Sequence, residues 1–133
     1  MTGEIQLFNQ TYKTELFSAG QTIFKQGEHG HMMYMIQDGE VDIVYLGTVL
    51  ETVGPGGIIG EMALIDHSPR TASAIARTDC RVLPMNEKHF YYMVQATPDF
   101  ALNVMRVMAE RLRRMDRLSY PLMHFSRSED ILG

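Results

Sequence analysis

The pattern of apolar and polar positions divides this chain in two. From about residue 12 to residue 85, short alternating runs are broken by Gly20, Gly27, Gly30, Gly39, Gly47, Gly54, Gly56 and Gly57. Turn glycines at this spacing, between β-branched and aromatic residues, predict an all-β sandwich or barrel. Candidate strands cover residues 12–17, 22–24, 33–36, 40–45, 49–53, 71–77 and 81–85. "VYLGTVLE" predicts a tight hairpin around Gly47. Ala72, Ala74 and Ala76 alternate with Ser73 and Ile75, as a packed strand can.

From Asn86 onward the period becomes helical. Asn86 can cap a helix that carries Glu87 in its first turn. That helix should stop near Thr97, because a residue before proline avoids the α region. A second, longer helix is predicted from Asp99 to Arg117 or Leu118, with Pro98 at its start. Met105, Met108, Leu112 and Met115 recur at 3, 4, 3 spacing, with Ala101 four residues earlier. Such a seam either packs on the β-part of its own chain or meets the same helix of a second copy. The second option is a homodimer through helix 99–118. Residues 119–133 carry weak signals and are expected to be partly disordered. The whole reads as one domain, 1–133: β-part 12–85, helices 86–118, tail 119–133.

Composition narrows the class. The chain has 133 residues, 45% hydrophobic and 21% charged, which is ordinary for a globular domain. A single cysteine, Cys80, excludes an internal disulfide and any multi-thiolate cluster. It is expected to be a small core residue. No run reaches the roughly 18 apolar residues of a membrane span, and "MTGEIQLFNQ" lacks the form of a secretory signal. The expected location is cytoplasmic. A net charge of −4 argues weakly against nucleic acid as a partner. Arg106, Arg111, Arg113, Arg114 and Arg117 crowd one segment, and read as a solvated helix face with local pairing.

The densest chemistry lies in "IIGEMALIDHSPRTASAIA", residues 58–76. "EMALI" is helix-forming but short, so a single turn is predicted. The first backbone N–H groups of a turn lack partners and carry partial positive charge. Gly60 lets the backbone approach a ligand closely. Arg70 can grip phosphate oxygens with a two-donor fork. Glu61 offers only acceptors, which suit a pair of sugar hydroxyls. Phosphate donors beside a hydroxyl acceptor describe a site for a sugar phosphate or nucleotide. Glu61 paired with Arg70, both on the surface, is the plain alternative.

These residues resemble the phosphate-binding cassette of the cyclic nucleotide-binding domain family, whose members include catabolite activator-like (Crp/Fnr-like) regulators and protein kinase A regulatory subunits. Ile59-Gly60-Glu61-Met62-Ala63-Leu64, then Arg70-Thr71-Ala72, match its pattern. Upstream, "IFKQGEHGHMMYMIQDG" matches a second family signature, although Phe24 is bulkier than expected there. The resemblance spans about residues 12–117. It implies a mainly β fold, a double-stranded β-helix (a jelly-roll, cupin-like β-roll) with flanking α-helices. It implies a signal-transduction domain that binds cAMP, or second cGMP, and is not an enzyme. It implies that Arg70 pairs with the cyclic phosphate and Glu61 accepts from the ribose 2′-hydroxyl. By the same resemblance Gly60 shapes the ribose contact, while Met62, Ala63, Thr71 and Ala72 complete the site through the backbone amides of Ala63 and Thr71 and the Thr71 hydroxyl. Two departures stand out. Family members open with a fuller N-terminal helix. The base-contacting zone of the long helix reads "RLRRMDRL", offering Met115 and Asp116 instead of hydroxyls.

Two other classes compete. His29-Gly30-His31 is the His-x-His of metal-dependent cupin enzymes, and Pro55–Gly57 echoes their second motif. Gly60 fills the slot of a ligand histidine and Met35-Ile36-Gln37 fills that of a ligand glutamate, so two of four ligands are missing and no metal is expected. A relative sensing another ligand, through haem, has no supporting motif. No nucleophile–base pair or paired carboxylates are visible. The roughly fifteen residues after the long helix are too few for a helix-turn-helix, so no direct DNA reading is expected of this chain.

Overall fold

The computed structural model describes the backbone of residues 2–7 and 10–123 and the side chains of residues 12–118. Among the described residues, nine strands and three helices follow in the order β1 (Thr2–Leu7), β2 (Gln10–Phe17), β3 (Thr22–Phe24), β4 (Met33–Asp38), β5 (Val41–Tyr45), β6 (Thr48–Val53), β7 (Ile58–Ile59), α1 (Glu61–Asp66), β8 (Ser73–Ala76), β9 (Cys80–Met85), α2 (Glu87–Ala96) and α3 (Asp99–Met123). One sheet has the order β1-β2-β9-β4-β7, the other β3-β8-β5-β6, and every pairing is antiparallel. This is the mainly β roll with C-terminal helices that the sequence predicts.

Period two explains the two cores. Ile36, Ile59, Cys80 and Val82 point between the sheets, where they meet Phe24, Val41, Ile43, Val53, Ala74 and Ala76. Their neighbours Met33, Ile58, Leu83 and Met85 point the other way, and pack with Leu64 of α1, Met93 of α2, and Phe100 and Val104 of α3. The first sheet is therefore covered on both faces. That is why "MMYMI" and "CRVLPM" read as nearly continuous apolar runs rather than clean alternations. Cys80 is buried, and burial pushes its thiol pKa up.

The hairpin around Gly47 is present. Leu46 and Gly47 both have positive φ, 51° and 79°, between paired Tyr45 and Thr48, as a type I′ turn requires. Three features differ from expectation. "TGEIQL" forms β1 on the edge of the first sheet, antiparallel to β2, where no element was predicted. The two-residue strand β7 was also not predicted. It borrows its register from β4 through Tyr34↔Ile59 and Met35↔Ile58, a tertiary effect that no local pattern carries. And α3 continues to Met123, past the predicted end at 117 or 118. The rest of the predicted tail, 124–133, lies outside the described residues.

The Met105–Met115 seam needs correcting. Along α3 the buried side chains are Phe100, Val104, Arg111 and Met115, whereas Met105 and Leu112 are exposed. The apolar positions thus serve two faces. Met115 turns toward the β-roll and Met105 and Leu112 turn to the outside, joined there by exposed Leu102. The reading of the arginines as a solvated face also fails at one position. Arg106, Arg113 and Arg117 are exposed, but Arg111 is buried.

Candidate functional site

The site is built where β7 runs into α1. Gly60 stands at the N-cap of α1 with φ 76° and ψ 14°, a left-handed conformation natural to glycine. A Cβ at Gly60 would also lie 2.7 Å from Nη1 of Arg70. The turn thus needs glycine for its backbone and for its neighbour. Gly60 carries no side chain that could cap the helix, and the first amides of α1 have no partner within the helix. Glu61 opens the helix, where a carboxylate suits the helix dipole.

All seven predicted positions, Gly60, Glu61, Met62, Ala63, Arg70, Thr71 and Ala72, line one cavity. Phe24, Ile43, Arg111 and Met115 close it. Of these four, only Met115 is named from the sequence as a residue offered at the base-contacting zone. Its free volume is about 30 Å³, enough for water but little more. Small-molecule sites run to roughly 300 Å³ and above. Arg111 and Met115 bring α3 against this pocket.

Arg70 is only 6% exposed. Its guanidinium lies over the Phe24 ring, 4.1 Å from Cζ to the centroid. Nη1 donates to the Gly60 carbonyl at 3.2 Å. No carboxylate lies within ion-pair distance of Arg70 among the described residues. Burial pulls its pKa down, opposed by the fields of Tyr34, Glu28 and Glu61, yet a guanidinium stays charged at neutral pH. A buried cation of this kind is costly unless something anionic meets it.

Glu61 does not pair with Arg70. Its Oε1 accepts from Nη1 of Arg111 at 2.6 Å, and both side chains are buried. Its Oε2 accepts no hydrogen bond among the described residues. Arg111 also donates from Nε to Glu51 at 2.6 Å and from Nη2 to the Ile58 carbonyl at 2.7 Å. Arg114 bonds the other oxygen of Glu51 and reaches Glu110 at 3.6 Å. Two arginines thus tie α3 to β6 and to the start of α1. Arg111 was legible in principle: it continues the spacing Phe100, Val104, Arg111, Met115 of the buried face. The hydroxyl of Thr71 reaches the Met62 sulfur at 3.6 Å, a weak contact that leaves it open to a stronger acceptor.

His29 and His31 are exposed in the loop between β3 and β4. Among the described residues, no three His, Cys, Asp or Glu side chains gather as metal ligands. Among those residues, too, no helix is long and apolar enough to cross a membrane.

The sequence model of the cyclic nucleotide-binding domain family matches residues 14–97. The chain belongs to that family. A cyclic nucleotide-binding domain accounts for the roll and its C-terminal helices. The chain is 31% identical over 132 residues to a cyclic AMP receptor protein of Thermus thermophilus, covering 96% of this chain and 61% of the relative. It is 38% identical over 81 residues to a cAMP-dependent protein kinase regulatory subunit of Colletotrichum orbiculare, covering 59% of this chain and 20% of the relative. The crystal structure of Thermus thermophilus catabolite activator protein superposes on this domain with a TM-score of 0.69 at 33% identity, covering 86% of this chain and 55% of that one. The domain thus spans less than two thirds of the length of each of these relatives, which are regulatory proteins by name.

Proposed function

We propose that this domain binds a cyclic nucleotide, cAMP ahead of cGMP, and passes on its occupancy through α3. The observation that carries the reading is Arg70: a buried guanidinium beside helix-start amides that no side chain caps, with no carboxylate within ion-pair distance among the described residues. A cyclic phosphate supplies the missing charge. Glu61 keeps one oxygen on Arg111 and offers the other to the ribose 2′-hydroxyl. Gly60 lets the sugar approach. The amides of Ala63 and Thr71 and the Thr71 hydroxyl meet phosphate oxygens, and Met62 and Ala72 complete the walls. The names of the relatives favour cAMP.

The narrow cavity supports a role for α3. A nucleotide needs several times the free volume present, and on this reading Met115 and Arg111, which line the cavity from α3, shift to admit it. Arg111 bonds the same carboxylate that would take the ribose, so ligand and helix are coupled through Glu61. The ligand moves the helix by its difference in affinity for the two arrangements. The domain acts, on this reading, as a cytosolic binding module rather than an enzyme, as the names of its relatives favour. The exposed Leu102, Met105 and Leu112 face is where a second copy would join.

Thermal unfolding with cAMP, cGMP and 5′-AMP tests the reading. Saturation at about 100 times Kd should add about 2.7 kcal/mol of stability. The expected order is cAMP, then cGMP, with 5′-AMP giving no shift. No shift from either cyclic nucleotide would overturn it.

A further inference from the structure

Arg70 is held by groups outside the cassette. The loop between β3 and β4 brackets its main chain: the Gly27 N–H donates to the Arg70 carbonyl at 2.8 Å, and the Arg70 N–H donates to the Glu28 carbonyl at 2.8 Å. The same segment brackets its side chain. Phe24 lies against one part of the guanidinium, at 4.1 Å, and Tyr34 backs Phe24 as a stacked ring, with centroids 6.1 Å apart. Gly30 presents a bare Cα. A Cβ there would lie 2.7 Å from Nη2, 3.0 Å from Nε and 3.1 Å from Cζ of Arg70. The guanidinium occupies the space where a side chain at residue 30 would begin.

This way of holding a cation has a chemical consequence. A carboxylate partner would neutralise Arg70 and use up its N–H groups. A ring face steadies the charge through its quadrupole and uses no N–H group. A bare Cα restricts the side chain without bonding to it. The fork therefore stays charged, oriented and rich in free donors. A cation fixed before binding does not lose its rotamer freedom when the anion arrives.

The geometry points to Phe24 and Gly30 as positioning residues that hold the Arg70 guanidinium in place for an anionic phosphate. The inference rests on the reading of Arg70 as the phosphate ligand.

Gly30→Ala is the cleanest probe. The φ of Gly30 is not left-handed, so alanine fits the backbone, and the atoms nearest the new methyl are those of the Arg70 guanidinium, a side-chain end rather than backbone. Two readouts apply. The first needs no ligand: the Nε–H resonance of Arg70 in a nitrogen–proton correlation spectrum. Ring current from Phe24 should displace it from the ordinary arginine position, and both Phe24→Leu and Gly30→Ala should move it back. A wild-type resonance at the ordinary position, or one unmoved by both substitutions, overturns the inference. The second is affinity for cAMP by calorimetry. Gly30→Ala should weaken it about tenfold or more, and Phe24→Leu about three- to thirtyfold. In an Arg70→Ala background, Gly30→Ala should cost nothing further. A loss that persists in full there marks a merely structural role and overturns the inference. If wild type binds neither cyclic nucleotide, the proposed function falls, and the Arg70 resonance alone decides the seat.

Discussion

At Arg70 a positive charge lies buried on a ring face with no carboxylate within ion-pair distance among the described residues. At Arg111 the opposite solution is used: three donors satisfied by two carboxylates and a carbonyl. The two arginines line one cavity, but one is fully engaged and the other holds donors in reserve. Removing one member of a buried ion pair leaves the other uncompensated. Arg111→Ala should therefore cost about 3–5 kcal/mol, measured by urea denaturation. A loss under about 1 kcal/mol, the range of exposed pairs, would contradict the pairing. Arg70 and Glu61 were legible in the sequence because their neighbours, Gly60 and Thr71-Ala72, are adjacent in the chain. The partner of Glu61 was not, because it lies fifty residues away and meets it only through the fold.

The start of α2 makes a testable prediction at the scale of one element. Asn86 accepts from the His89 N–H at 2.9 Å, and the Asn86 N–H donates to Nδ1 of His89 at 3.4 Å. Asn86→Ala should cost about 0.5–2 kcal/mol, the usual worth of such a cap. Burial, and then Lys88, lower the pKa of His89 below its ordinary 6.5. The folded protein therefore binds fewer protons at this site than the unfolded chain in the window below pH 6.5. The stability it contributes is complete above that pH and is lost as the pH falls through it. Melting temperature should fall more steeply between pH 7 and pH 5.5 in wild type than in His89→Gln, and equal slopes would contradict this. Most elements were legible because glycine punctuation and period mark them. β1 and β7 were not, since edge and two-residue strands owe their existence to a partner strand. The α3 face was read one position out because methionines sit on both sides of the helix, and a charged residue, Arg111, lies in the buried stripe.

For the whole molecule, the claim is that ligand and helix share one carboxylate. Spin labels at exposed Glu40 and Arg113 would report the position of α3 over the roll, and buried Cys80 would not compete for the label. Saturating cAMP should change the label distance, and an unchanged distribution would remove α3 from the mechanism. Sedimentation tests the outer face of the same helix. A dimer that Leu112→Glu dissociates is expected, and a monomer at high concentration would contradict it. The fold could be read from the sequence because it rests on local pattern, and so could the turn at residues 60–72. The state of the pocket could not, because it depends on where Met115 and Arg111 fall when α3 docks. The most direct measurement is calorimetric titration of cAMP into wild type and Arg70→Ala. Wild type should bind, and the variant should lose about 1.5–3 kcal/mol or more, the worth of charge-assisted hydrogen bonds. Equal affinities in the two proteins would contradict the account.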